Sequence, residues 1–300
     1  MQIYHHWRAG TADAPAERPA LVPKRAMRML YCPRLEVLSL PRTSRLAAVP
    51  EFRSFRSEAV VIRHADFGEA DRMLTLYTSR HGKLRALAKG ARKPTSRKAG
   101  HLEPFTHVAL QMGRGHDLPI VTQADTLHAY PALRHDLVLT GQASYVLELL
   151  DRFTYQDDVA NPALFRLITE TLARLESRSD AWLAIRYYEM RLLDLVGFRP
   201  QLFECVQCRL PIQPEEQFFS FSAGGVICPS CGRNLPKLPA ISFDALKYLR
   251  HFQRSSFAEA SRARPTDAVR EETETLMQGF FTFLLERELN TPGFLKKIRI

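Results

Sequence analysis

Four of the five cysteines in this 300-residue chain fall into two pairs, Cys205-x2-Cys208 and Cys228-x2-Cys231, with nineteen residues between them. Each pair forms a knuckle that aims two thiolates at one ion. An intervening stretch of ~15–20 residues brings the second knuckle round to complete a tetrahedron. Between the pairs, "FFSFSAGG" has strand residues ending in a glycine turn, as a zinc ribbon needs. Four thiolates leave no open coordination position, so the expected ion is one structural Zn2+ rather than a catalytic metal. Redox Cys-x-x-Cys motifs normally come singly on a βα unit, and these are doubled at ribbon spacing. Cys32 is left over and is assigned no role.

The second chemical feature is the stretch "RALAKGARKPTSRKAGHLEPF", Arg85 to Phe105. From Arg80 to His101 there are eight Lys or Arg and no Asp or Glu. It is not a P-loop, because nothing reads GxxxxGK followed by Ser or Thr. Such density on a Gly- and Pro-punctuated loop suits an electrostatic groove that tracks a nucleic-acid backbone. The alternative is a solvated surface, but no acidic residue balances the run. The candidate contacts are Arg85, Lys89, Arg92, Lys93, Arg97 and Lys98, with Arg72 as a weaker member. Phe67, Tyr77, Phe105 and Tyr130 are candidates to stack bases, although most of them are expected in the core.

Other chemistry finds little support. "DFG" at 66–68 precedes "RHD" at 134–136, which is the wrong order for a kinase, and no Gly-rich loop comes first. Asp66, Glu69 and Asp71 suggest a metal-dependent nuclease, but nothing supplies further ligands. There is no GxSxG and no HExxH. His64, His81 and His101 are expected to face solvent, and nothing argues positively for an enzyme.

Bulk properties set limits on the rest. No apolar run approaches the ~18 residues of a membrane span, and the N-terminus lacks a signal-peptide pattern, so an intracellular, cytoplasmic protein is expected. The net charge of +10 is uneven. Residues 1–55 carry nine bases and four acids, 56–131 carry twelve and seven, and 132–300 carry twenty-one of each. The excess therefore lies in the first 131 residues, as a polyanionic partner for that part would require.

These residues must be positioned by ordered elements. Residues 1–54 hold six of the nineteen prolines and show no hydrophobic period. They read as a disordered basic extension, or as the product of a start codon assigned too early. From 55 to 131 the segments "EAVVIRH", "RMLTLYT", "KLRALAKG", "FTHVALQMG" and "LPIVTQADTLHAY" read as five strands of a small closed barrel, most naturally an OB-fold. From 132 to 300 the period becomes helical. Helices are expected over 132–154, 161–176, 179–197, 242–254 and about 267–289, with the cysteine insertion at 203–235. Asn161 and Asp180 are expected caps. Trp182, Ile185, Tyr188, Leu192 and Val196 are the expected buried stripe of the third helix. The class is α+β: barrel first, helical domain second.

Taken together, "EAVVIRHADFGEADRMLTLYTSRHGKLRALAKGARKPTSRKAGHLEPF", "RYYEMRLLDLVGFRPQLFECVQC" and "FFSFSAGGVICPSC" resemble the RecO family of bacterial recombination mediators over about residues 56–298. Residues 1–54 have no counterpart in that pattern. The resemblance implies an N-terminal OB-fold, a helical domain with the zinc site, and no bond-breaking activity. It also implies binding of single- and double-stranded DNA and annealing of complementary strands. RecA would be loaded with RecR, and in many bacteria RecF, through the acidic C-terminal tail of single-strand-binding protein. A zinc-ribbon RNA-binding protein is the alternative built from the same parts.

Overall fold

The computed structural model describes residues 54–298, apart from Asp157 and Pro236. Cys32 and the N-terminal extension lie outside these residues, except Ser54, which opens the first strand. Strands β1 (Ser54–Phe67), β2 (Asp71–Thr78), β3 (Gly82–Ala88), β4 (His107–Gly113) and β5 (Ile120–His128) close a barrel in the order β1-β2-β3-β5-β4. All pairings are antiparallel except β3 with β5, which meet in parallel at Leu87 and Ile120. This is the expected OB-like architecture, with β1 longer than its sequence pattern indicated.

Side chains alternate across a strand, and the barrel uses both faces. Ala59 and Val61 of β1 join Leu74, Leu76, Ala86, Leu110 and Met112 in the barrel interior. Val60 and Ile62, with Tyr77 and Phe105, point the other way and share one core with the helices.

The helical part contains α1 (Ala132–His135), α2 (Leu137–Phe153), α3 (Pro162–Glu176), α4 (Ala181–Leu195), the short α5 (Pro229–Gly232), α6 (Phe243–Arg254), α7 (Phe257–Ala260), α8 (Asp267–Leu285) and α9 (Asn290–Ile298). The helix expected over 132–154 is broken. Asp136 takes an extended conformation and its carboxylate accepts from the N–H groups of Val138 and Leu139, so a new helix starts there. Asn161, Asp180 and Ser242 cap as their side chains allow. The last long helix stops at Leu285 rather than 289, because Glu286 turns left-handed at φ 53°. The expected stripe on α4 proves too narrow: every residue from Leu183 to Met190 is buried, while Trp182 and Val196 are half-buried. Neighbours α2, α3, α6, α7 and α8 surround it, and a helix covered on all sides loses the polar face that a stripe presupposes.

That burial carries a polar cost. Glu189 is fully buried beside Arg186, 2.7 Å away, and accepts a 2.6 Å hydrogen bond from Tyr145. Burial, only partly offset by Arg186 and the Tyr145 hydroxyl, pushes the Glu189 carboxyl up to about 7. An acid whose pKa rises on folding binds more protons folded than unfolded, between its ordinary 4.5 and about 7. Stability contributed here is therefore lost as pH rises through that window. In Glu189→Gln, urea unfolding at pH 5 and pH 7.5 is expected to lack this part of the pH-dependence, whatever the absolute cost of leaving Arg186 unpaired. An identical pH-dependence in both proteins would contradict it.

Candidate nucleic-acid interface and metal centre

The basic run forms the connection from β3 to β4, with a single 3-10 turn at Ala99–His101. Its course is fixed by the β1–β2 turn. Gly90, at φ 66°, donates its N–H to the Asp71 carboxylate at 2.7 Å, and the Arg92 N–H donates to the Ala70 carbonyl at 2.9 Å. The Arg92 side chain pairs with Asp66 at 3.3 Å and donates to the Gly68 and Glu69 carbonyls. Farther along, Lys98 Nζ donates to the Val121 carbonyl at 3.0 Å, tying the loop to β5.

The candidate cations thus separate into three groups. Arg85, Lys89, Lys93 and Arg97 are exposed and make no ion pair among the described residues. Arg92 and Lys98 hold the loop in place. Arg72 is turned inward: it shares the parity of Leu74 and Leu76 on β2, and at the barrel's end its guanidinium meets Glu103 at 2.8 Å. Glu103 also meets His64 at 3.2 Å. Burial acts to raise the Glu103 carboxyl, but hydrogen bonds from Arg72 and His64 bring it below its ordinary value.

Two of the three histidines expected at the surface are therefore engaged. His64 binds Glu103, and His101 Nδ1 accepts from the Thr126 N–H at 3.1 Å; only His81 is exposed. Of the four aromatic candidates, Tyr77, Phe105 and Tyr130 are buried, and Phe67 is 52% exposed at the end of β1 beside the Arg92 anchor. The carboxylates considered for a nuclease, Asp66 and Asp71, are the loop's clamps. Among the described residues the one group of three or more potential metal ligands is the four cysteines.

The cysteines sit on a small sheet, β7-β6-β8, made of β6 (Gln217–Ser220), β7 (Gly225–Ile227) and β8 (Ala240–Ile241). The first knuckle runs beside β7: the Val226 N–H donates to the Gln201 carbonyl, the Gln201 N–H donates to the Gly224 carbonyl, and the Val206 N–H donates to the Val226 carbonyl. A Cβ at Gly225 would stand 2.5 Å from the Gln201 carbonyl oxygen, so only glycine permits this approach. In the second knuckle, α5 begins right after Cys228 and brings Cys231 back over it. A Cβ at Gly232 would lie 2.2 Å from the Phe218 ring.

The four Sγ atoms all lie within 4.8 Å of one another, with Cys208 and Cys228 at 3.8 Å. Zn–S bonds of about 2.3 Å in a tetrahedron require S–S separations of about 3.8 Å, so the donor set fits such an ion. The Cys228 N–H donates to Cys205 Sγ at 3.4 Å. Burial acts to raise the Cys205 thiol, but the Cys208, Cys228 and Gln207 amides bring it down to about 7. Burial and the adjoining thiols push Cys231 up to about 12. Four thiols this close cannot all ionise without a cation among them.

With barrel, basic loop, helical body and thiol cluster in place, comparison with known proteins gives a class and then a family. Residues 52–130 match the family described as "Recombination protein O N terminal", and residues 134–292 match "Recombination protein O C terminal". The chain belongs to the RecO family of DNA repair proteins. It is 40% identical over 248 residues to the DNA repair protein RecO of Roseiflexus sp. (strain RS-1), covering 82% of this chain and 87% of that protein. The RecO of Desulforudis audaxviator (strain MP104C) is 35% identical, with 83% and 98% covered, and that of Dehalococcoides mccartyi (strain ATCC BAA-2100) is 33% identical, with 82% and 96% covered. No helix among the described residues is long and apolar enough to cross a membrane.

Asp71→Ala should free the Gly90 N–H and loosen the loop without unfolding the barrel. Hydrogen exchange read by mass spectrometry is expected to accelerate over residues 89–98 and stay unchanged in β1 and β4. Equal protection across the loop would count against the clamp.

Proposed function

We propose that this chain is a non-enzymatic recombination mediator that binds single- and double-stranded DNA and anneals complementary strands. The observation that carries the reading is a set of exposed cations without an ion pair among the described residues: Arg85 on β3, and Lys89, Lys93 and Arg97 on the loop that Asp66 and Asp71 clamp. Annealing brings two polyanions together. A basic surface neutralises both backbones and lowers their repulsion, with affinity that falls steeply as salt rises. Phosphate contacts carry no base information, so binding should tolerate any sequence. Exposed Phe67, next to the loop, would add a stacking face for an unpaired base.

Arg92 and Lys98 act in this reading chiefly by shaping the loop, and Arg72 by closing the barrel's end. The partners are single-strand-binding protein through its acidic C-terminal tail, RecR and in some settings RecF, with RecA loading as the outcome and the cytoplasmic nucleoid as the location. The tetrathiolate is assigned one Zn2+, held by Cys205, Cys208, Cys228 and Cys231. The ion would fix the insertion and do no chemistry on DNA, because the four thiolates fill its coordination shell.

Charge reversal at both Lys93 and Arg97 should weaken binding to all sequences alike. It should also flatten the log–log salt slope for single-stranded DNA by about 1.4, for two lost phosphate contacts. Unchanged affinity and slope would overturn the assignment. The mediator reading itself is tested by annealing of two labelled complementary oligonucleotides, bare and precoated with the cognate single-strand-binding protein. Acceleration that survives the coating is expected, and failure to bind either substrate would refute it. Preference for RNA in competition would favour the RNA-binding alternative. Separately, Cys205→Ser is expected to lose one equivalent of zinc by metal analysis and to lower the thermal midpoint, since metal binding and local folding are coupled. Full stability without metal would contradict a structural ion.

A further inference from the structure

Residues 132–300 carry no net charge, yet four arginines converge where α4 ends and α6 passes the entry to the cysteine insertion. Arg191 and Arg199 share one carboxylate, Asp194, at 3.6 and 3.5 Å. Arg191 also donates to the Gln253 carbonyl at 3.3 Å, next to Arg254. The Arg254 guanidinium lies 3.5 Å from the centre of the Phe203 ring, and that of Arg250, one helical turn earlier, lies 5.2 Å from it. Arg250 Nε donates to the Leu202 carbonyl at 2.8 Å. Among the described residues neither Arg250 nor Arg254 has a carboxylate partner, and Glu204, next to Phe203, forms no ion pair.

Among the described residues this leaves four guanidiniums with one carboxylate, Asp194, in ion-pair contact. The arrangement costs repulsion: burial, and then the charge of Arg254, lower the pKa of Arg250. A fold that needed only to seat Phe203 could do so with neutral side chains. Guanidiniums pinned on an aromatic face lose little freedom when they bind, and their outer N–H edges match phosphate oxygens. Arg199 and Arg254 are exposed. None of the large exposed apolar side chains belongs to this cluster, so it offers no anchor for a hydrophobic peptide end. The chemistry favours a polyanion held by its backbone.

We propose that Arg250 and Arg254 on the Phe203 ring, with Arg191 and Arg199 on Asp194 beside them, form a second DNA-binding surface, separate from the barrel loop, that takes the phosphate backbone of another strand. The inference rests on the DNA-binding reading above and extends it: annealing needs two strands on one protein, and two cationic surfaces provide for both.

The test uses the full chain and a tethered single strand. Protein is loaded on the tethered strand, and capture of a second, non-complementary labelled oligonucleotide is measured, so that base pairing is not read. Arg199→Glu with Arg254→Glu should leave first-strand affinity within about twofold while second-strand capture falls about tenfold or more, since each lost phosphate contact removes released counterions. Arg199→Lys with Arg254→Lys, which keeps the charge, should retain capture within about threefold. Metal content and thermal midpoint confirm that both variants fold. Wild-type capture by the glutamate variant, or no second-strand capture by the wild type, would overturn the surface while leaving the barrel assignment intact. A parallel loss of first-strand binding would show one continuous path and also overturn it. Intact capture with lost binding of an acidic peptide would reassign the cluster to a protein partner. A wild type that binds no first strand would sink the underlying reading and this surface with it.

Discussion

The double-sided burial of β1 is the constraint on which the rest depends. Over Ala59–Ile62 four consecutive residues are buried, two into the barrel and two into the core shared with the helices. A small barrel normally leaves its outer face to water; here that face is a foundation for the helical body, and both belong to one compact unit. Polar contacts reinforce the seam. Lys83 Nζ meets the Asp151 carboxylate at 2.7 Å and also accepts a place at the end of α2, donating to the Asp151 and Thr154 carbonyls, where a cation suits the helix dipole. Arg134 reaches back to Thr106 and to the Pro104 carbonyl.

Joining the barrel to the body also decides which charges remain for a ligand. Lys83 counts among the eight bases of the run, yet it serves the seam. Asp66, Asp71 and Glu103 are the acids that could have balanced the loop. Instead they engage Arg92, the Gly90 amide and Arg72, each fixing backbone or a barrel end. The carboxylates thus order the loop without neutralising its rim. An isolated ion pair at an exposed site contributes roughly 0–1 kcal/mol; its value here lies in geometry, because it sets the direction in which Lys93 and Arg97 emerge.

Local signals in the sequence were readable where local physics governs. The five strands, the glycine turn between β6 and β7 and the caps at Asn161 and Asp180 all follow from residues adjacent in the chain. The cysteine cluster was legible because knuckle spacing is itself a local geometry. What escaped was long-range. Asp136 looked like an ordinary position within a helix, and its break separates α1, which packs on α2 and α3 and sends Arg134 to the Pro104–Thr106 segment. Arg72 and His64 looked like surface residues because Glu103, thirty-one and thirty-nine positions away, is what engages them. The extra breadth of burial on α4 depends in part on α6, α7 and α8, which come fifty or so residues later in the chain.

The insertion shows how the metal centre and the helical body serve each other. β6 delivers Phe219 and the turn after it delivers Phe221 onto α8, where both rings pack against Phe280. A Cβ at Gly279 would lie 2.7 Å from the Phe221 ring, so the helix is notched to receive it. On the other side, Phe203 stands two residues before Cys205, and its carbonyl accepts from the Ile212 N–H beyond the first knuckle. The thiol cluster thereby fixes the ring on which Arg250 and Arg254 rest. An ion bound by the four cysteines would hold that aromatic ring in place beneath the arginines. Rigidity matters there because guanidiniums that are ordered before binding lose less entropy on meeting phosphate.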